Sequence, residues 1–171
     1  EGHMAAITAD KKLWIWGNIY WDNGTRILSS TTPVLAMEDV AAVSCGMRFT
    51  GAVKTDGTLW MWGNNHFGQL GNNKVANSAD VNGLLLQSIP YKVRDNVVSV
   101  SCGGTHAAAI KKDGSLWVWG ANEDGCLGNG STVDSYVPVK VMDNVKAVDC
   151  GYHCTAAIKD DNTLWIWGGP I

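Results

Sequence analysis

The sequence lacks the features of membrane-spanning, nucleic-acid-binding and disulfide-stabilised proteins. It has no run of about 18 apolar residues, so no segment is expected to cross a membrane. Its 13 Lys and Arg are outnumbered by 16 Asp and Glu, whereas binding to nucleic acid phosphates normally requires a basic face. The five cysteines are an odd number, and we predict no disulfide framework among them.

Motifs of enzymes and metal-binding proteins are missing as well. There is no phosphate-binding loop, no His-Glu-x-x-His pattern, no paired-Cys zinc spacing and no calcium loop. The densest group of potential ligands, Cys150 to Cys154, offers two thiols and one imidazole, and a fourth ligand is not evident. We therefore predict a protein that is not an enzyme, with no catalytic residues, no metal and no cofactor.

Tryptophan is abundant, and its placement is regular. Eight of the nine Trp residues lie in four copies of Leu-Trp-x-Trp-Gly, which begin at Leu13, Leu59, Leu116 and Leu164. Side chains alternate along a β-strand, so the two Trp of each copy share one face and the apolar partners share the other. Neither face is polar, and both are expected to be buried between neighbouring sheets. The Trp residues predicted to be structural are Trp14, Trp16, Trp60, Trp62, Trp117, Trp119, Trp165 and Trp167.

These copies mark an internal repeat. They recur at steps of 46, 57 and 48 residues, and a Cys-Gly pair at Cys45, Cys102 and Cys150 keeps the last two steps. A period of roughly 40–50 residues with about four strands per unit is typical of a β-propeller, and a solenoid is the main alternative. The three cysteines would lie on different blades, which disfavours disulfides between them.

The third repeat illustrates the predicted order of strands. A first strand ends at the Cys-Gly pair of Cys102, and an Ala-rich strand follows from Ala107 to Lys111. Asp113-Gly114 indicates a two-residue hairpin turn before the Trp strand, and an outer strand is expected near Pro138.

The predicted fold class is all-β: an open arc of about four propeller blades in a single domain over residues 1–171. The repeats span approximately residues 1–39, 40–96, 97–144 and 145–171. The first repeat lacks its Cys-Gly strand and the fourth lacks its outer strand, so both terminal blades are expected to be incomplete. Exposed strand edges of this kind invite pairing with another chain.

The third repeat also resembles a known family. Its Cys102 to His106, Asp113-Gly114, Leu116 to Asn122 and Gly125 to Gly128 together resemble the regulator of chromosome condensation repeat, and the resemblance covers essentially the whole chain. It implies a binding scaffold, and because family members are typically seven-bladed, it implies that the chain is part of a larger ring or of an assembly. Fold alone does not choose the partner.

Several positions depart from the family pattern. The family's His is present at His3 and His106, where we expect a hydrogen bond to backbone, but Phe49 and Cys154 replace it in the other repeats. Asn64 and the Gly-Gln-Leu-Gly loop at Gly68 match the family well, whereas that loop is lost after Gly17.

Residues that break the repeat are the best candidates for recognition, because variable loops on a rigid scaffold carry binding. Packing at the rim of their own blade is the alternative role for each of them. The candidate partner-binding residues are Tyr20, Trp21, His66, Phe67, Leu84, Leu85, Glu123, Asp124 and Tyr136.

The function predicted from these observations is a non-enzymatic scaffold for a protein partner, with no nucleic acid or membrane partner. The resemblance leaves two alternatives, inhibition of a hydrolase such as a β-lactamase and nucleotide exchange on a small GTPase. The open strand edges leave a third, a structural arc that assembles into a closed homo-oligomeric ring. The resemblance also favours a bacterial extracellular or cell-surface location.

Overall fold

Every element of regular structure that the computed structural model describes is a β-strand. The structure describes residues 2–19, 21–22, 26–27, 29–74 and 86–169. The first repeat contains β1 (His3–Ile7), β2 (Leu13–Gly17), the short strands β3 (Trp21–Asp22) and β4 (Arg26–Ile27), and β5 (Ser30–Met37). The second contains β6 (Val40–Cys45), β7 (Phe49–Lys54), β8 (Leu59–Asn64) and β9 (Leu86–Arg94). The third contains β10 (Val97–Cys102), β11 (His106–Lys111), β12 (Leu116–Gly120) and β13 (Ser135–Met142), and the fourth contains β14 (Val145–Cys150), β15 (Cys154–Lys159) and β16 (Leu164–Gly168).

Four antiparallel sheets, here called blades 1 to 4, follow one another along the chain. Their strand orders are β1-β2-β5, β6-β7-β8-β9, β10-β11-β12-β13 and β14-β15-β16, and β3-β4 form a separate hairpin. The inner strands β6, β10 and β14 contact one another in succession. This arrangement confirms the predicted open arc of about four blades. Blade 1 lacks an inner strand and blade 4 lacks an outer one among the described residues, as expected.

The Ala-rich strand makes room for the indoles of the Trp strand. In blade 3, Ala107 lies opposite Trp119 and Ala109 lies opposite Trp117. Cross-strand neighbours share a face of the sheet, so a methyl group beside each indole leaves space for the large ring. The Trp face of this blade is therefore filled by Trp and Ala together.

Blades 2, 3 and 4 each pack the Trp face against the apolar face of the preceding blade. Trp62 of blade 2 packs with Leu13 and Ile15 of blade 1. Trp119 of blade 3 packs in the same way with Leu59 and Met61 of blade 2. Both Trp62 and Trp119 are 0% exposed, so the predicted burial of these two indoles between sheets is confirmed.

Burial of the other indoles is less complete than predicted. Trp14, Trp16, Trp60, Trp117 and Trp167 are half-buried. The prediction was wrong for Trp165, which is 50% exposed. In blade 3 the equivalent Trp117 lies opposite Lys140 of the outer strand, and blade 4 has no such strand to flank its ring.

The hairpins between the second strand and the Trp strand have three-residue loops, not the predicted two. Lys54 O accepts a hydrogen bond from Gly57 N, and Lys54 N donates to Thr58 O. Only the third loop residue, Gly57, has a positive φ (84°). The third residue of the loop therefore adopts the left-handed conformation, which favours Gly. The Asp-Gly pair occupies the second and third positions of the loop.

A side-chain relay connects these hairpins to the first Trp of each strand. In blade 3, Asp113 Oδ1 accepts from Ser115 N (3.0 Å) and from Ser115 Oγ (2.5 Å), and Trp117 Nε1 donates to Ser115 Oγ (2.9 Å). Asp56-Thr58-Trp60 and Asp161-Thr163-Trp165 repeat the same contacts. The hydroxyl residue therefore satisfies the indole and orients it.

Blade 1 breaks this relay, which leads to a stability prediction. Lys12 occupies the hydroxyl position, and the buried Trp14 Nε1 has no hydrogen-bond partner among the described residues. We expect Lys12→Thr to raise the free energy of unfolding by about 1 kcal/mol in urea denaturation, because it supplies the missing acceptor. Lys12→Ala removes the exposed Lys12–Asp10 ion pair (3.4 Å) without adding a hydroxyl and should not stabilise. An equal gain for both variants would show that the missing acceptor is not the cause.

Candidate protein-binding groove

One edge of the arc carries the variable loops. Phe49 pairs with Gly63, His106 with Gly120 and Cys154 with Gly168, so each second strand begins where a Trp strand ends. The loops before the second strand and after the Trp strand therefore emerge at the same edge. We call this edge the loop face, and the opposite edge, with the three-residue hairpins, the hairpin face.

A buried asparagine organises the loop after each of two Trp strands. In blade 3, Asn122 Oδ1 accepts from Leu127 N (2.9 Å), and Asn122 Nδ2 donates to Ser131 O (2.9 Å) and Val133 O (3.0 Å). In blade 2, Asn65 holds Leu70 N and Lys74 O in the same way. These contacts fix the loop tips that carry the candidate residues.

Asn65 is the residue that organises the loop of blade 2. The sequence had matched its neighbour Asn64 to the family, and Asn64 has a different role. Asn64 Oδ1 accepts a local hydrogen bond from His66 N (2.8 Å). In blade 1 the organising position is occupied by Ile19, which is buried with Leu13 and Ile15. This replacement agrees with the loss of the Gly-Gln-Leu-Gly loop in the first repeat.

Each organised loop is also fixed to the following blade. Trp119 Nε1 donates to Gln69 O (2.8 Å), and Trp167 Nε1 donates to Cys126 O (2.9 Å). Because the acceptor is a backbone oxygen, Cys can replace Gln at this position without loss of the hydrogen bond. A Cβ on Gly71 would lie 2.9 Å from Trp119 Nε1, so the last Gly of the loop allows the indole to approach.

The loops nearest the inner strands are joined across blades as well. Met47 N donates to Gly103 O, and Gly104 N donates to Gly151 O, both at 3.2 Å. A Cβ on Gly103 would lie 2.4 Å from Gly151 O, where the next blade passes. The Gly of the Cys-Gly marker is thus required by the close approach of two backbones.

A groove of about 190 Å³ lies on the loop face where blades 2, 3 and 4 meet. Phe67 is 37% exposed and Tyr152 is 58% exposed, so two aromatic rings are accessible there. Asp124 Oδ2 lies 3.1 Å from His153 Nδ1, and the His153 ring meets Tyr152 edge to face at 4.4 Å. The groove is lined by Met47, Phe67, Thr105, Ala121, Asn122, Glu123, Asp124, Cys126, Tyr152 and His153.

Four of the residues chosen from the sequence lie on this loop face. Phe67, Glu123 and Asp124 line the groove, and the ring of His66 meets Phe67 edge to face at 4.8 Å. Tyr136 is not in the groove. Its ring lies over Gly68, and its carbonyl accepts from Asn73 N (2.9 Å), which connects blade 3 to the loop of blade 2.

The remaining candidates cannot be placed in the groove. Trp21 lies in β3, and this strand packs against β9 of blade 2. Tyr20, Leu84 and Leu85 lie outside the described residues.

Sequence reasoning missed Met47, Tyr152 and His153 as groove residues. β14 ends at Cys150 and β15 begins at Cys154, so residues 151–153 form a loop between these two strands. The sequence nevertheless contains a pattern that indicates these positions. The two residues after each Cys-Gly pair differ in every repeat (Met-Arg, Gly-Thr and Tyr-His), as expected of binding positions.

The two histidines at the family position connect blades through threonine side chains of the following blade, a contact that the sequence did not predict. His106 Nε2 lies 2.8 Å from Thr155 Oγ1, and Thr155 Oγ1 donates to Cys126 O (2.8 Å). The threonine proton is thus committed, so its oxygen accepts from the Nε2–H of His106. His3 contacts Thr50 in the same way at 2.6 Å.

The repeat without a histidine has a matched apolar pair instead. Phe49 and Ala107 occupy the positions of the histidine and the threonine, and both are buried in one cluster between blades 2 and 3. The polar pairs His3–Thr50 and His106–Thr155 therefore alternate along the arc with this apolar pair. The position is a structural contact between blades.

Burial suppresses the reactivity of the side chains near the inner strands. It lowers the pKa of His106 to about 4, with a smaller contribution from His153. It raises the pKa of Cys45 to about 11 and that of Cys150 to about 12, so both thiols stay protonated at neutral pH. All five cysteines are unpaired.

The described ranges contain neither a cluster of metal ligands nor a membrane-spanning helix. No group of three or more His, Cys, Asp or Glu side chains there could hold a metal ion. No helix in the same part of the chain is long and apolar enough to cross a membrane.

Comparison with known proteins gives consistent matches. The family described as "Regulator of chromosome condensation (RCC1) repeat" matches residues 56–110 and 113–158, and a second description of the same repeat matches residues 40–69 and 97–126. The serine/threonine-protein kinase Nek9 of Xenopus laevis is 31% identical over 147 residues, which are 80% of this chain and 15% of the kinase.

Two solved structures share the fold. Human WBSCR16 superposes with a TM-score of 0.78 at 24% identity, over 98% of this chain and 46% of its own. Yeast RCC1 (Prp20), solved with Kap60 bound, gives a TM-score of 0.76 at 23% identity, over 98% of this chain and 42% of its own. The chain thus spans less than half the length of each of these proteins.

Proposed function

The chain belongs to the regulator of chromosome condensation repeat family, and we propose that it is a non-enzymatic scaffold that binds a protein partner through the loop-face groove. One observation carries this proposal. Three successive blades contribute accessible aromatic and acidic side chains to a single concave site. The loops that present them are fixed by buried asparagines and by hydrogen bonds to the next blade, so little conformational entropy is lost on binding.

The chemistry of the groove indicates what it would bind. Phe67, Tyr152 and Met47 supply apolar contact area, and exposed rings are effective anchors at protein interfaces. Glu123 and Asp124 form an acidic rim beside them. The best fit is a protein surface with an apolar centre and a Lys or Arg at its edge. Among structural neighbours, the yeast protein was solved with a protein, Kap60, bound.

A photo-crosslinking experiment tests this proposal. A photoreactive residue replaces the exposed Glu123, and the chain is irradiated in an extract of its source organism. We expect a discrete crosslinked protein, and we expect Tyr152→Ala to reduce its yield about tenfold, as for an interface hot spot. The matched control is Tyr91→Ala, which removes an exposed tyrosine from outer strand β9 and should leave the yield unchanged. Equal yields for both variants, or no discrete product, would contradict the proposal.

Self-assembly is a second candidate function, because blades 1 and 4 carry exposed large apolar side chains. Leu164 and Ile166 of blade 4 and Met4 of blade 1 are exposed, whereas Leu59 and Met61, at the positions of Leu164 and Ile166 in blade 2, are 0% exposed. Exposed apolar faces of this kind mark interaction sites. Sedimentation velocity tests the candidate, and a chain that remains monomeric at micromolar concentration would remove it.

Hydrolase inhibition, nucleotide exchange on a small GTPase and a bacterial extracellular or cell-surface location stay predictions from the resemblance. A β-lactamase inhibition assay and stimulated nucleotide release would test the first two directly.

A further inference from the structure

The loop-face groove is a slot that crosses blade 3. Its floor includes Thr105 and Ala121 of that blade, which are joined by the hydrogen bond from Ala121 N to Thr105 O (3.1 Å). The volume of about 190 Å³ admits one long side chain and excludes a helix, whose diameter is about 10 Å. The flanking side chains come from blade 2 on one side and from blade 4 on the other: Met47 with Phe67, and Tyr152 with His153.

The position of the Tyr152 ring depends on Gly104. Residue 104 is the blade 3 equivalent of Met47 and Tyr152, since each stands two residues after the Cys of the Cys-Gly marker. A Cβ on Gly104 would lie 2.6 Å from Tyr152 O and 3.1 Å from Tyr152 Cδ2, closer than a real side chain allows. The ring therefore rests on the bare backbone of blade 3. Its edge-to-face contact with His153 (4.4 Å) also holds it, so the ring is placed before a ligand binds.

Negative charge lies beside these apolar walls. Glu123 and Asp124 directly follow Asn122, which is 0% exposed and fixes the loop. Asp124 Oδ2 lies 3.1 Å from His153 Nδ1, and the Glu123 side chain has no partner among the described residues. No described Lys or Arg lines the slot. The site thus combines aromatic surface with two carboxylates that no lysine or arginine of the lining balances.

This combination fits a guanidinium group better than an ammonium group. A guanidinium is planar, stacks on aromatic rings and forms two parallel hydrogen bonds with a carboxylate. It is also more weakly hydrated than an ammonium, so its transfer between apolar walls costs less free energy. A trimethylated lysine would contact the rings as well, but it has no N–H to donate to the carboxylates.

We propose that the slot takes one arginine side chain of the protein partner. The methylene stem lies between the two walls, and the guanidinium stacks on Tyr152 and pairs with Glu123 and Asp124. Gly104 is a positioning residue, which acts by seating the Tyr152 ring. This inference rests on the proposed function and specifies the chemical group that the groove recognises.

Titration of the isotope-labelled full chain with the peptide acetyl-Gly-Gly-Arg-Gly-Gly-amide tests the inference. We expect saturable changes in the amide NMR shifts of residues 104–105, 121–124 and 152–153. The same peptide with lysine or trimethyllysine in place of arginine should bind about fivefold more weakly or less well still, because it lacks the planar fork. A peptide with citrulline, which has nearly the same shape but no charge, should give no saturable change.

Matched variants test the contacts of the guanidinium. Tyr152→Ala and Glu123→Gln should each weaken binding of the arginine peptide about fivefold. Tyr152→Phe keeps the ring and should retain the affinity. Asp95→Asn, which removes an exposed carboxylate on the hairpin face, should leave the affinity unchanged.

The positioning role of Gly104 is tested by a double-mutant cycle. Gly104→Ala displaces the Tyr152 ring and should weaken binding as much as Tyr152→Ala does. The two substitutions together should weaken it no further, because both act through the same ring. Additive losses would show that Gly104 does not act through Tyr152. Circular dichroism checks folding, and if Gly104→Ala does not fold, the comparison of Tyr152→Phe with Tyr152→Ala decides whether the ring binds the ligand.

Four results would overturn the arginine slot: no saturable binding of the arginine peptide, equal or tighter binding of the lysine or trimethyllysine peptide, binding of the citrulline peptide, or shift changes confined to other parts of the chain. The crosslinking experiment separates this inference from the proposed function. A discrete crosslinked protein without an arginine preference overturns the slot alone. Arginine binding without a crosslinked protein contradicts the scaffold function.

Discussion

Replacement of Trp119 by Ala is expected to lower the free energy of unfolding by about 3–5 kcal/mol, which is the usual cost of deleting a fully buried large aromatic ring. The ring is 0% exposed and fills the space between blades 2 and 3. Its Nε1 also donates to Gln69 O, so the substitution leaves a cavity and removes the contact that fixes the loop of blade 2. Urea denaturation followed by far-UV circular dichroism measures the loss.

The repeat itself provides controls for this substitution. Trp16 occupies the same strand position in blade 1, where no described blade precedes it, and Trp16→Ala should cost the least. Trp167→Ala should cost less than Trp119→Ala, because Trp167 is only half-buried at the edge of the arc. Equal losses for all three variants would contradict an arc whose stability arises from packing between successive blades.

Acidification from pH 7 to pH 4 is expected to reduce stability by about 3 kcal/mol through His106. Burial, with a smaller effect of His153, lowers the pKa of His106 from 6.5 to about 4 in the folded protein. The unfolded chain therefore binds a proton at a higher pH than the folded chain does. The contribution of His106 is fully present above pH 6.5 and is lost as the pH falls towards 4.

Other groups act in the same direction but can be separated from His106. Burial also lowers the pKa of His3, which adds to the loss in the same window. Hydrogen bonds from Thr58 and Ser115 lower the pKa of Asp56 and Asp113 in the folded protein. The stability that these two aspartates contribute is lost only as the pH falls below their ordinary pKa of 3.8. A decline that begins only below pH 4 would therefore show that the aspartates are responsible and that His106 is not.

The double variant His106→Phe/Thr155→Ala tests the same interaction by copying the Phe49–Ala107 pair of the neighbouring interface. It should reduce the pH dependence between 6.5 and 4 to the part contributed by His3. Thr155→Ala alone leaves the buried Nε2–H of His106 without its acceptor and should cost about 1–3 kcal/mol at pH 7. If the double variant is no more stable than this single variant, the two positions do not form a unit.

The sequence predicted some residues of the loop-face groove and missed others. The variable tips at Phe67, Glu123 and Asp124 were identified because they break a regular repeat. Their partners Met47 and Tyr152 were missed, because the sequence pattern of one repeat does not show that loops from three blades converge. Tyr136 was chosen by the same reasoning, but the structure places it over Gly68, away from the groove.

Local patterns are sufficient to predict the strands of one blade: the alternation along Leu116 to Gly120, the Asp-Gly turn and the Pro-containing outer strand indicate the order of strands and the positions of turns within a repeat. The length of the hairpin loop was not predicted correctly, because it depends on the backbone conformation of the turn. The tertiary structure alone decided which residues meet between repeats, such as His106 with Thr155 and Trp119 with Gln69. These partners lie 49 and 50 residues apart. Their contact depends on how one twisted sheet stacks on the next, and no periodicity within a single repeat encodes that geometry.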